Sequence, residues 1–194
     1  MTARAIKRCA LLTAALSVTA VGLGDGEIDG ELILRVKAGY IINFCKFTTW
    51  PAAAFERDDQ ALTLAVLDDP PLAEVLEAAV RGKQVNGRPL VVVRLATPAD
   101  GKLQRLFESA EPRHLLYVSD RARAGWPALR PGLAGRSTVT VSDIPGFIEQ
   151  GGMLGLVLRN SRVAFEVGMD AVKSADLKLD SRLLSLAARV ERNP

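Results

Sequence analysis

Apolar positions from Leu32 to Phe47 recur at helical spacing: Leu32, Ile33, Val36, Tyr40, Phe44 and Phe47 form one broad stripe. The spacing predicts a helix over 32–47, stopped by Trp50-Pro51, because proline biases the residue before it away from helical geometry. Leu62–Leu67 reads as a strand. Asp68-Asp69-Pro70-Pro71 then opens a helix to about Arg81, with acids where the helix dipole favours them. Asn86-Gly87 is a turn, and Pro89–Leu95 is a second strand. Asp100–Ser109 reads as a short helix. His114–Ser119 is apolar nearly throughout, as expected of a central strand covered on both faces. Ser137–Val141 is a further strand. Met153–Leu158 and Arg162–Val167 flank Arg159-Asn160-Ser161 as a hairpin. A closing helix spans about 170–189, with a break expected near Leu177-Lys178-Leu179. Strands alternating with helices predict the α/β class: a single three-layer domain with a mostly parallel sheet, an added C-terminal β-hairpin and a closing helix.

The first residues carry a different pattern. Arg4, Lys7 and Arg8 are followed by a run from Cys9 to Ala20 that is apolar apart from Thr13, Ser17 and Thr19. About a dozen such residues match the core of a secretory signal and are too few for a membrane-spanning helix. Val18-Thr19-Ala20 supplies small residues for cleavage after Ala20. The expected organisation is a signal peptide at 1–20, a flexible glycine-rich and acidic N-terminus at 21–31, and one α/β domain at 32–194. Removing residues 1–20 takes three of the 25 Lys+Arg and none of the 22 Asp+Glu. That leaves 22 of each, a formal net charge of zero. The signs alternate along the chain, so the clustered basic face of a nucleic-acid binder is missing and no nucleic-acid partner is expected.

Candidate chemistry is sparse. Cleavage leaves Cys45 alone, which excludes an internal disulfide and a cysteine-based metal site. Its neighbours Ile41, Ile42, Phe44 and Phe47 favour burial over an intermolecular bond. His114 is the one histidine. It sits at the start of an apolar strand, and no Gly-x-Ser-x-Gly elbow supplies a nucleophile for it. Asp68-Asp69 suits a helix N-terminus or a cation. No spaced ligand cluster and no phosphate-binding glycine motif is present. No catalytic residue, metal or cofactor is expected.

The most specific local feature runs from Ser137 to Met153. A strand leads into a loop carrying Asp143, Phe147, Gly151 and Gly152, and strand-end loops are where α/β sheets bind ligands. The alternative for these residues is turn chemistry. Tyr40, Trp50 and Phe147 are the aromatic candidates for a partner surface, against core packing for Tyr40 and a helix stop for Trp50.

Several segments together resemble one family. They are Val36 to Trp50-Pro51, Val85 to Leu90, His114 to Ser119, Val139 to Asp143 with Gly146-Phe147 and Gly151-Gly152-Met153, Arg162 to Val167, and Leu177 to Ala187. In order and spacing they resemble the YfiR-like periplasmic proteins over roughly residues 34–190. The resemblance implies a non-catalytic regulator that restrains a membrane-bound diguanylate cyclase by binding its periplasmic sensor part. It also implies an outer-membrane lipoprotein that sequesters the regulator, and a homodimer. Cyclic di-GMP and biofilm matrix would rise on release. Members often carry a Cys just before the histidine of the central strand; here that position is Arg113, which puts disulfide control in doubt. A periplasmic small-molecule-binding sensory module, using the loop at Asp143, Phe147 and Gly151-Gly152, is the second reading. An enzyme using His114 is the third.

Overall fold

Leu62–Leu67 forms strand β2, and both of its faces are buried, which is why the run is apolar at nearly every position. The computed structural model describes residues 30–107 and 112–191. The export segment read at 1–20, and residues 21–29, lie outside the described residues. The first helix, α1, spans Gly30–Lys46. The short strand β1, Thr48–Thr49, follows it. Helix α2 spans Pro70–Val80, β3 is Gln84–Val85, and β4 is Arg88–Leu95. Strands β5 (Leu115–Val118) and β6 (Val139–Ser142) come next. Between them, 3-10 turns surround a short helix α3, Trp126–Leu129. The hairpin is β7 (Leu154–Arg159) and β8 (Arg162–Gly168). The chain closes with α4 (Met169–Ser174), β9 (Lys178–Leu179), α5 (Ser181–Leu184) and β10 (Arg189–Glu191).

Eight of these strands make one sheet in the order β10-β8-β7-β6-β5-β2-β4-β3. The run β4-β2-β5-β6-β7 is parallel, and β7 turns back antiparallel onto β8. Sequence reading and structure therefore agree on a mostly parallel sheet with an added hairpin. Beyond Leu90 no described strand covers the outer side of β4, since β3 pairs with it only at Pro89 and Arg88.

Strand alternation splits the core into two. Leu62, Leu64, Val66, Leu115 and Tyr117 face α1 and α2, together with Phe44, Ile41 and Leu76. Ala65, Leu67, Leu116 and Val118 face Leu103, Trp126, Leu129 and Phe147. The sheet is thus the middle of three layers. Each fully buried large apolar side chain contributes roughly 1.5–3 kcal/mol relative to exposure, and both layers hold many.

Three expectations are corrected. The closing helix is shorter than read and breaks where expected: α4 ends where Asp176 adopts φ 54°, and Lys178–Leu179 leaves helical geometry to pair antiparallel with Thr48–Thr49. Asp180 then caps a new short helix by accepting from the Arg182 amide at 2.8 Å, and Arg189–Glu191 joins the sheet beside β8. Tertiary pairing outweighs helix propensity here. The helix read at 100–109 is a 3-10 turn at Leu103–Phe107, with Gly101 at φ 69° just before it; residues 108–109 lie outside the described residues. The buried face of α1 is Ala38, Ile41, Phe44 and Cys45, rotated from the stripe read in the sequence. Leu32 and Val36 stand in solvent at 55% and 37% exposure.

Candidate functional site

The order β4-β2-β5-β6 places the topological switch between β2 and β5, where doubly wound sheets form their ligand crevice at the carboxyl ends of the strands. The residues leaving those ends are Asp68-Asp69 after β2, Ser119-Asp120 after β5 and Asp143 after β6. All of these except Asp68 border a cleft of about 420 Å³, walled also by Leu34, Pro71 and Arg121.

Each of these acids is engaged. Asp69 caps α2, its carboxylate accepting from the Leu72 amide at 3.1 Å. Asp68 accepts from the backbone and hydroxyl of Thr97 at 2.9 and 2.5 Å, tying down the chain after β4. Asp120 pairs with Arg123. Asp143 accepts from the Asp120 amide at 3.0 Å and from Lys37 Nζ at 2.5 Å. The Lys37–Asp143 pair is mostly shielded from solvent, so it couples α1 to the end of β6 across 106 residues of chain. Beneath it, the Tyr117 hydroxyl is sealed from solvent. Burial, then the carboxylates of Asp143 and Asp69, push its pKa far above the usual phenol range. Among the described residues no group of three or more His, Cys, Asp or Glu is arranged to hold a metal ion.

The loop after β6 does not present its aromatic. Phe147 is 2% exposed, its ring 4.6 Å from that of Trp126. The Trp126 indole donates to the Gln150 carbonyl at 3.2 Å. Gly152 lies directly beneath Phe147, where a Cβ would come within 2.3 Å of the ring. Gly151 adopts φ +83°, and a Cβ there would lie 2.6 Å from Nη1 of Arg130. Asp143, on one side, and Gly151, on the other, therefore serve different surfaces: Asp143 the strand-end cleft, Gly151 a neighbouring groove.

The remaining candidates sit on the other layer. Trp50 is 9% exposed, and its indole donates to the His114 carbonyl at 3.2 Å. It is a structural stop. Tyr40 is half-buried, with its ring 5.6 Å from Phe165 and its hydroxyl donating to the Val163 carbonyl at 3.0 Å. Sequence reading missed Lys37, Arg130 and the exposure of Leu32 and Val36.

His114 is employed by the backbone at both nitrogens. Nδ1 accepts from the Thr63 amide at 3.0 Å, and Nε2 donates to the Ala54 carbonyl at 3.1 Å. The Phe55 ring stacks on it at 4.5 Å. Burial pulls its pKa below the ordinary 6.5; the Ala54 carbonyl opposes this, and the Arg88 charge adds to it. A depressed histidine pKa means that the unfolded chain takes up a proton the native state refuses. Stability is therefore full above pH 6.5 and falls as pH drops from 6.5 through the native-state value, by at most about 1.4 kcal/mol per pH unit. Urea unfolding between pH 7.5 and 5 checks this. The slope should shrink in His114→Gln, most clearly above pH 6, because the chain has one histidine.

A sheet wound in both directions from a switch point, with its strand-end side chains committed to caps and ion pairs, defines a doubly wound α/β domain. Residues 34–188 match the model of the YfiR/HmsC-like family, and the chain belongs to that family, whose members are periplasmic regulators. No curated relative matches the chain. No described helix is long and apolar enough to cross a membrane.

Proposed function

We propose that the protein restrains a membrane-bound diguanylate cyclase by binding its periplasmic part, without catalysis of its own. An exported chain never meets cytoplasmic cyclic di-GMP, so the effect passes through a membrane partner. The observation that carries the reading is an apolar strip on α1 and the hairpin. Leu32, Val36 and Tyr40 follow one another at helical spacing. Tyr40 reaches Val163, which pairs with Leu158 across the hairpin. Leu158 shares the face of Leu154 and Leu156 by strand alternation and is 59% exposed. Leu32, Val36 and Leu158 are exposed while Tyr40 is half-buried, and exposed apolar residues on neighbouring elements mark a surface for a partner. A lipoprotein that sequesters the regulator would compete for the same strip.

The test is a strain in which the gene is deleted and then complemented. Deletion is expected to raise cyclic di-GMP, and the wild-type chain to restore it. Leu32→Asp/Val36→Asp alters only solvent-facing positions, so stability stays within about 0.5 kcal/mol per site. This variant is expected to leave cyclic di-GMP high and to fail to co-purify with the cyclase. Unchanged cyclic di-GMP on deletion, or full restoration by the double variant, sinks the proposal.

A further inference from the structure

We infer that the groove between the Trp126–Gly135 segment and α4 binds a small monocarboxylate with an apolar body, gripped by Arg130. The groove has a volume of about 490 Å³, within the range of roughly 300–1,000 Å³ typical of small-molecule sites. Leu133 lies on one wall, Ala171 and Ser174 on the other, and Met153 between them; the lining is mainly apolar. Two charged side chains also border it, Arg130 and Asp170.

Several arginines near the ends of this sheet are taken up by carboxylates. Arg94, Arg123, Arg159, Arg182 and Arg189 each pair with a carboxylate. Arg130 pairs with no described residue, and not with Asp170 across the groove, which has contacts of its own. Its guanidinium is nonetheless placed. It lies along the bare backbone of Gly151, close enough that any Cβ there would come within 2.6 Å of Nη1 and 3.2 Å of Cδ. Glycine at 151 leaves open the space the guanidinium occupies beside the groove.

The ligand class follows from these groups. A planar guanidinium accepts a carboxylate through two parallel hydrogen bonds. Apolar walls take hydrocarbon and reject a polar chain. Asp170 on the far wall repels a second negative charge, so dicarboxylates and phosphate dianions are disfavoured. The inference goes beyond the regulatory reading, and its test needs neither a cyclase nor a membrane; failure of one leaves the other standing.

Isothermal titration of the purified chain tests it, with octanoate and 3-phenylpropionate as probes and 1-octanol and suberate as controls. At least one of the two acids is expected to bind, with both controls at least about tenfold weaker. Arg130 is exposed and unpaired, so Arg130→Gln should melt at the wild-type temperature while losing about tenfold in affinity for the acid. Ser174→Leu, which fills the groove from its exposed side, should abolish binding. The inference is overturned if neither acid binds up to about 10 mM, if Arg130→Gln binds as tightly as wild type, if either control binds as tightly as the acid, or if Ser174→Leu leaves the affinity unchanged.

Discussion

Phe147→Ala is expected to destabilise the domain by about 3–5 kcal/mol, the usual cost of emptying a well-packed aromatic site. The ring is 2% exposed and rests on Trp126. Around it lie Ile144, Leu116, Val118 and Leu129, all within the second core cluster. Removing the ring loses its transfer free energy and leaves a cavity. The cavity resists collapse because two of its walls are a strand of the parallel sheet and an indole fixed by its hydrogen bond to Gln150. For a domain stabilised by about 5–15 kcal/mol in total, that loss is a large share. Equilibrium urea unfolding measures it. A change below about 1 kcal/mol would mean that Phe147 does not hold the loop to the sheet.

Gly152→Ala acts on the same contact from below. The added Cβ would meet three ring atoms of Phe147, at 2.3, 2.3 and 2.6 Å. Such distances cannot be accommodated without displacing either the ring or the loop. The ring has no free rotamer to move into, because Trp126 covers its other side. The expected cost is about 1–3 kcal/mol or more. Coupling to Phe147 gives the mechanism a separate signature. In a Phe147→Leu background the clash partner is smaller, so adding Gly152→Ala should cost clearly less than it does alone. A double-mutant cycle therefore yields a coupling energy of about 0.5–3 kcal/mol. Strict additivity would show that the glycine is needed for another reason.

The parts of this fold visible in the sequence are those built by local periodicity. The nearly all-apolar runs at Leu62–Leu67 and Leu115–Val118 mark central strands, since both faces are covered. The turn at Asn160-Ser161 lies where two apolar runs meet, and both residues take positive φ. What was hidden depends on contacts distant along the chain. Lys178–Leu179 becomes a strand only because Thr48–Thr49 offers it an edge; nothing nearby says so. Asp180 as a second helix cap was a local signal that the longer helical pattern obscured.

The candidate site shows the same division. Asp143 was visible as the acid leaving a strand, but its partner Lys37 lies on a helix read for its apolar residues alone. Phe147 reads in the sequence as an aromatic of a strand-end loop, and loops usually face water. Here the glycines serve the opposite end, letting the loop press close enough to bury the ring. In the same glycine-rich stretch Gly151 takes φ +83°, a conformation that favours glycine, and the Arg130 guanidinium from about twenty residues upstream lies beside it. Leu32 and Val36 were counted into the core stripe. They differ from the true buried positions by part of a helical turn, a rotation that only the docking of α1 against β8 and α2 sets.

Among the described residues the outer side of β4 is unpaired beyond Leu90, which has a consequence for the protein in a crowded envelope. From Val91 onward the strand offers a row of backbone donors and acceptors to any extended chain that drifts past, with Val91 44% exposed beside them. Such a border templates aggregation unless it is blunted. One side-chain pair blunts it. Arg94, held by Glu77 at 2.7 Å, sets a charge where an added strand would have to settle. Staying dispersed thus rests on one ion pair at the margin of the sheet, far from either the cleft or the groove.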